Sequence, residues 1–268
     1  MIDVVLELKR RFNSHNVTAF SAQMAFFFFL SLFPFIIFLF SLLSLFDIST
    51  ADINFILARL IPAEGYNLIA NYSANVVLDL KKLNVFSVSI LIILWSASRV
   101  IFAFTRSLNN SYSVEETRGY FKTRIMGMIY TVVLMLMIIL GIVVTITGEG
   151  FFNFVRKFIY VARDFQSLFF LFKWIVYFGV FFVILLIFYR NLPNLKLKLK
   201  SVIPGSVFAI FAISIFTFLF SLYINTFSNY SILYGSLGAV VVLMMWLYLV
   251  SGILVLGGEI NAILMRKK

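Results

Sequence analysis

The chain has 268 residues, 62% hydrophobic and 12% charged, with a mean hydropathy of +1.04. Soluble domains carry about 25% charged residues, so this composition excludes an ordinary soluble fold and calls for an all-α, polytopic membrane protein. Cysteine is absent, which excludes disulfides and thiolate chemistry; the net charge of +11 has to be weighed against membrane topology before any nucleic acid is invoked.

Residues 1–18 set Lys9, Arg10 and Arg11 beside an amphipathic pattern of Val4, Val5, Leu8 and Phe12, which predicts a short helix on the membrane surface. His15, the only histidine, falls here and reads as a surface residue, because nothing nearby in the sequence orients or tunes it. The apolar run over 19–46 is too long for the h-region of a signal peptide and predicts the first span. Within it Pro34 removes a backbone donor and predicts a kink, and Gln23 is the one strongly polar side chain.

Further spans are expected at about 84–104, 124–147, 168–189, 202–224 and 235–264. The fifth opens on Pro204-Gly205, a proline being tolerated in a first turn. The sixth carries Gly235, Gly238, Gly252, Gly257 and Gly258, small residues of the kind that let helices approach closely in lipid, where packing replaces the hydrophobic drive. Near its end lie Glu259 and Asn261, polar groups that need partners or water at that depth.

Six spans place both termini on one side. Of the 22 Lys and Arg residues, 14 fall on the side of the termini, 6 on the opposite side, and Arg99 and Lys173 within spans. The positive-inside rule therefore expects cytoplasmic termini, and most of the net charge follows from topology and attraction to anionic lipid. On the outer side, residues 51–62, 66–80 and 151–165 each show a helical stripe of apolar residues, which predicts three amphipathic interfacial helices.

No phosphate-binding loop, metal-spaced His/Cys cluster or nucleophile–histidine pair occurs, so neither a catalytic residue nor a metal or other cofactor is expected. The adjacent acids Glu115 and Glu116 lie among Arg and Lys and read as a solvated loop face; they lack the further carboxylates of a two-metal nuclease site. Intramembrane polarity is the distinctive feature. With the second span ending at Phe104, Arg99 and Glu259 fall at similar depth near the inner edge, and Gln23 enters from the same side. Gln23, Ser96, Ser98, Arg99, Glu259 and Asn261 are thus expected to form one inner-leaflet polar cluster, either a static ion pair that locks packing or part of a substrate or proton path.

Several stretches carry a resemblance: AFFFFLSLFPFIIF over 25–38, LWSASRVIFAFTRSLNNSY over 94–112, YRNLPN over 189–194, PGSVFA over 204–209, and YGSLGAVVVLMMWLYL with LGGEIN over 234–261. Together they resemble the YihY/BrkB family of bacterial inner-membrane proteins over essentially the whole chain. The resemblance implies six transmembrane helices and a cytoplasmic-membrane location. The family has carried the label ribonuclease BN, and some members are linked by name to virulence or serum resistance, which describes a phenotype rather than a mechanism. The expected function is that of a transporter or lipid-handling protein; the alternative is a non-catalytic membrane scaffold or envelope assembly factor, and an enzyme is the weakest reading. Membrane lipids are the expected partners, with a second copy or another membrane protein compatible with the small-residue faces, and no nucleic acid.

Overall fold

A computed structural model describes residues 2–44, 83–158, 163–226 and 237–266. Among these residues all regular structure is helical: α1 (Ile2–Ser14), α2 (Val17–Ser44), α3 (Leu83–Tyr112), α4 (Tyr120–Phe158), α5 (Arg163–Asn191), α6 (Leu199–Thr226) and α7 (Leu237–Arg266). Six of them, α2 to α7, are long and apolar enough to cross a membrane. The expected all-α fold with six spans is what forms. Outward faces are apolar: on α6, Phe211, Ile215, Phe218 and Leu222 are all exposed, at steps of three and four residues. A soluble bundle would turn such a stripe inward, whereas lipid accepts it.

Several boundaries differ from those read in the sequence. α3 does not stop near Phe104 but runs on to Tyr112. It ends where Ser113 turns left-handed (φ 53–55 is shared by only two non-glycine residues among those described, Asn16 at 53 and Ser113 at 55). Val114 N then donates to Asn109 O at 2.9 Å and Ser113 N to Asn110 O at 3.0 Å, the crossed pair of bonds that closes a helix end. Hydropathy misses this turn because the last two turns of α3, residues 105–112, are mostly polar. Residues 151–158 are the continuation of α4, not a separate interfacial helix; residues 159–162, 51–62 and 66–80 lie outside the described residues. α6 begins at Leu199, so Pro204 stands inside the helix rather than in its first turn.

The chain divides into two units, residues 1–26 with 99–268, and residues 27–98. In the second, α2 continues through Pro34, which can give no hydrogen bond to the preceding turn, and Ser31 Oγ donates to Phe28 O at 2.8 Å. In the first, α6 packs on α7, α5 on α6, α4 on α5, and α1 on α7. The seam between α6 and α7 is a backbone contact. A Cβ on Gly205 would run into the carbonyl oxygen of Gly257, and a Cβ on Gly257 into the Tyr189 hydroxyl and the Gly205 carbonyl. Gly258 faces Leu108, and Gly252 faces Ser21 Oγ at a looser 3.4 Å from where a Cβ would stand. Gly238 is buried, and Gly235 lies outside the described residues.

Candidate functional site: a buried carboxylate at the terminal end

The site is assembled where α1, α3 and α7 meet. α1 is joined to α2 by a tight turn at Asn16, whose φ of 53° suits asparagine better than most residues. Asn110 Nδ2 donates to His15 O at 2.8 Å and fixes that turn against the end of α3. On α7, Glu259 is 1% exposed. Its Oε1 accepts from Ser111 Oγ at 2.8 Å and lies 2.7 Å from His15 Nδ1, while Oε2 lies 3.4 Å from Arg11 Nη1. Arg11 is buried too; it donates to Ser111 O at 3.2 Å and forms a paired contact with Glu7 Oε1 at 2.7 and 3.0 Å. A buried charge is tolerated only when paired and hydrogen-bonded, and Glu259 meets that condition through three neighbours.

Arg99 is not one of them. Ser111 touches Glu259, and Arg99 lies twelve residues earlier on the same helix, roughly 18 Å along its axis and beyond the reach of an arginine side chain. The sequence-based pairing of Arg99 with Glu259 fails because it rested on a helix end two turns too early. Arg99 instead shares its surroundings with Arg124 of α4. Ser96 and Ser98 bond back to their own helix, at Ile92 O and Trp95 O, both at 2.9 Å. Gln23 is half-buried on α2 and is not a partner of the carboxylate. Asn261 serves the seam: its Oδ1 accepts from Gly205 N at 2.7 Å, the donor next to the ring of Pro204.

His15 is not surface decoration, and α1 is not held by the membrane surface alone; it docks on α7 through Arg11. A signal for this was present in the sequence. Glu7, Arg11 and His15 recur every four residues, one polar stripe on the face opposite Val5 and Lys9. Ser111, Tyr112 and Asn109 gave no such signal, since their roles depend on where α3 ends.

Unspent polar capacity remains on α3 and α7. Among the described residues the Tyr112 hydroxyl, Ser107 Oγ, Ser251 Oγ and Asn261 Nδ2 are buried without a hydrogen-bond partner. Tyr112 lies within the electrostatic reach of Glu259. The Tyr189 hydroxyl, by contrast, donates to Leu254 O at 2.6 Å and ties α5 to α7.

A second polar knot closes the same end. Asn109 Oδ1 accepts from Asn194 N at 2.7 Å, and Asn109 Nδ2 donates to Glu116 Oε2 at 2.8 Å. Arg118 grips both Glu116 oxygens at 2.6 Å and donates to Leu192 O at 2.8 Å. Glu116, exposed like Glu115 as expected of a solvated face, is therefore also a fastener of the loop. The side-chain bonds from Arg118 hold its carboxyl below the usual carboxylate range, aided by the Arg118 backbone N–H and Asn109, against a smaller opposing effect of burial. Among the described residues no three His, Asp or Glu side chains gather as metal ligands.

Six apolar helices and a paired charge buried at one end define the class, a multi-pass membrane protein. The chain belongs to the virulence factor BrkB family, whose pattern it matches over residues 8–268. It is 36% identical over 266 residues to the ribonuclease-like protein YfkH of Bacillus subtilis (strain 168), covering 98% of this chain and 95% of that one. It is 23% identical over 259 residues to a UPF0761 membrane protein of Aggregatibacter aphrophilus (strain NJ8700), covering 95% and 89%. A UPF0761 membrane protein of Pseudoalteromonas translucida (strain TAC 125) is 33% identical over 93 residues, covering 35% and 31%. No solved structure matches.

Proposed function

We propose that the chain is a transporter or lipid-handling protein, with Glu259 at the heart of its working cluster. The observation that carries this reading is a fully buried carboxylate near the end of a span, with the buried Tyr112 hydroxyl, which has no hydrogen-bond partner among the described residues, within its electrostatic reach. Polar and ionisable groups are costly at such depth, and in membrane proteins they commonly mark a pathway for ions or substrate. Both termini are cytoplasmic in this reading, as the distribution of Lys and Arg favours. The chain carries out no covalent chemistry, and the word ribonuclease in the name of its Bacillus relative has no counterpart in this reading.

The test uses proteoliposomes and fluorescent phospholipids as the probe. Transbilayer movement should occur with the parent protein and be lost in Glu259→Gln, while the variant keeps a cooperative melt. Absence of movement in the parent, or equal movement in both, would count against the reading. A scaffold is the second reading, favoured by one observation: Arg11, His15 and Ser111 together satisfy Glu259, as a static lock would. In that case an Arg11→Met, Glu259→Gln double variant should recover both stability and function; under the transport reading it recovers stability alone.

A further inference from the structure

The run Leu195-Lys196-Leu197-Lys198-Leu199-Lys200 closes the connection from α5 to α6 and begins α6 itself. Its start is anchored: Asn194 Nδ2 donates to Thr117 Oγ1 at 2.8 Å and to Glu115 O at 2.9 Å, in addition to the backbone bond to Asn109. So fixed, the alternation turns Leu197 inward and leaves Lys196, Lys198 and Lys200 exposed. Among the described residues these three lysines form no salt bridge. Two other leucines of this run are only partly covered, Leu195 and Leu199 being 37% and 47% exposed.

Leu199 also begins a lipid-facing stripe. Ile203 and Val207 follow it at four-residue steps on α6, both exposed, so they share one face. Three cations without a salt bridge among the described residues therefore stand at the foot of an outward apolar track, where the candidate span begins at Leu199. Topological bias accounts for lysines at this end, but not for their alternation with exposed leucines directly below such a track.

We propose that Lys196, Lys198 and Lys200, with Leu199, Ile203 and Val207, form a binding face for an anionic phospholipid of the leaflet at this end. The phosphate sits among the ammonium groups and an acyl chain lies along α6. The fit is one of charge and of polarity: lysines near an anionic surface attract its headgroups, and the apolar stripe excludes a soluble phosphate compound as the better occupant. This face is separate from the Glu259 cluster, and its failure would leave the transport reading untouched.

The natural absence of cysteine makes the test clean. Leu195→Cys accepts a single bimane label, and the protein is reconstituted in phosphatidylcholine with a minor fraction of doxyl-labelled phosphatidylglycerol or doxyl-labelled phosphatidylcholine. The anionic lipid should quench with a preference on the order of fivefold over the neutral one, falling as salt rises. Replacing all three lysines by glutamine should abolish the preference, and replacing them by arginine should retain it; matched melts for the two sets exclude misfolding as the cause. Equal quenching in the parent, or a preference that survives the glutamine set, overturns the proposal. So does disulfide formation between unlabelled cysteines at position 195 of two copies without any lipid preference, which assigns the face to a second copy.

Discussion

His15 Nδ1 stands 2.7 Å from Glu259 Oε1, joining the only histidine of the chain to the only acid within its six candidate spans. The contact spans 244 positions in sequence and brings a segment outside the spans onto a buried charge. With Arg11 on the other carboxylate oxygen, it makes α1 part of the folded core at this end rather than an appendage.

Arg11 and Glu259 should therefore be energetically coupled. Removing one partner of a buried pair strands the other, so Arg11→Ala and Glu259→Ala should each cost about 3–5 kcal/mol in detergent, and the double variant clearly less than their sum. His15→Ala should cost about 1 kcal/mol, as for one hydrogen bond. Arg99→Ala combined with Glu259→Ala should be additive. Denaturation of the purified variants checks each statement; strict additivity for Arg11 with Glu259 would dissolve the pair.

The α6–α7 seam should discriminate among glycines. Gly205→Ala and Gly257→Ala drive a methyl group into backbone carbonyls that cannot step aside, and each should cost about 1–3 kcal/mol or more. Gly258→Ala meets the flexible end of Leu108 and should cost less, while Gly252→Ala has room and should stay within about 0.5 kcal/mol of the parent. Thermal melts in one detergent give the ranking, and a Gly205→Ala protein as stable as Gly252→Ala would contradict the seam.

Glu116 should make the loop pH-dependent in a defined direction. Its carboxyl is depressed when folded, so its contribution is present above the unfolded carboxylate range and lost as pH falls through the lower folded value. The parent should melt above Glu116→Gln near neutral pH, and the two curves should converge on strong acidification. Convergence at alkaline pH instead would reverse the sign and refute the assignment.

Orientation is open to direct measurement. Reporter tags at Met1 and Lys268 should both register cytoplasm, and a cysteine at position Asn71 should react with an impermeant reagent from outside intact cells. Reaction at that position only after the inner face is opened would invert the topology.

Purified protein should leave RNA intact, since the Glu116 carboxylate is held by the Arg118 guanidinium and, among the described residues, no third acid or histidine joins Glu115 and Glu116 in a metal-binding group. Cleavage that follows the protein through purification and vanishes in a Glu115→Ala, Glu116→Ala double variant would overturn the non-enzymatic reading.

Composition and hydropathy were enough to determine the membrane class and the number of spans, because a run of about 20 apolar residues crosses lipid by satisfying its own backbone as a helix. The glycines of the last span were legible as packing residues for the same reason: only close approach rewards them in lipid. Which glycine meets which backbone was not, since Gly205 and Gly257 belong to helices brought together only by the fold. The partners of Glu259 were hidden more deeply. Hydropathy placed the end of α3 near Phe104, where apolarity fades, but the helix continues through Asn109 and Ser111, whose side chains find polar partners in Asn194 and Glu259. That extension moves Arg99 out of reach and carries Ser111 to the carboxylate. Arg11 and His15 arrive through a turn at Asn16 that doubles α1 back onto α7. A charge in a membrane protein announces from the sequence that it must be paired; the choice of partner depends on helix ends and turn geometry, which only the tertiary structure decides.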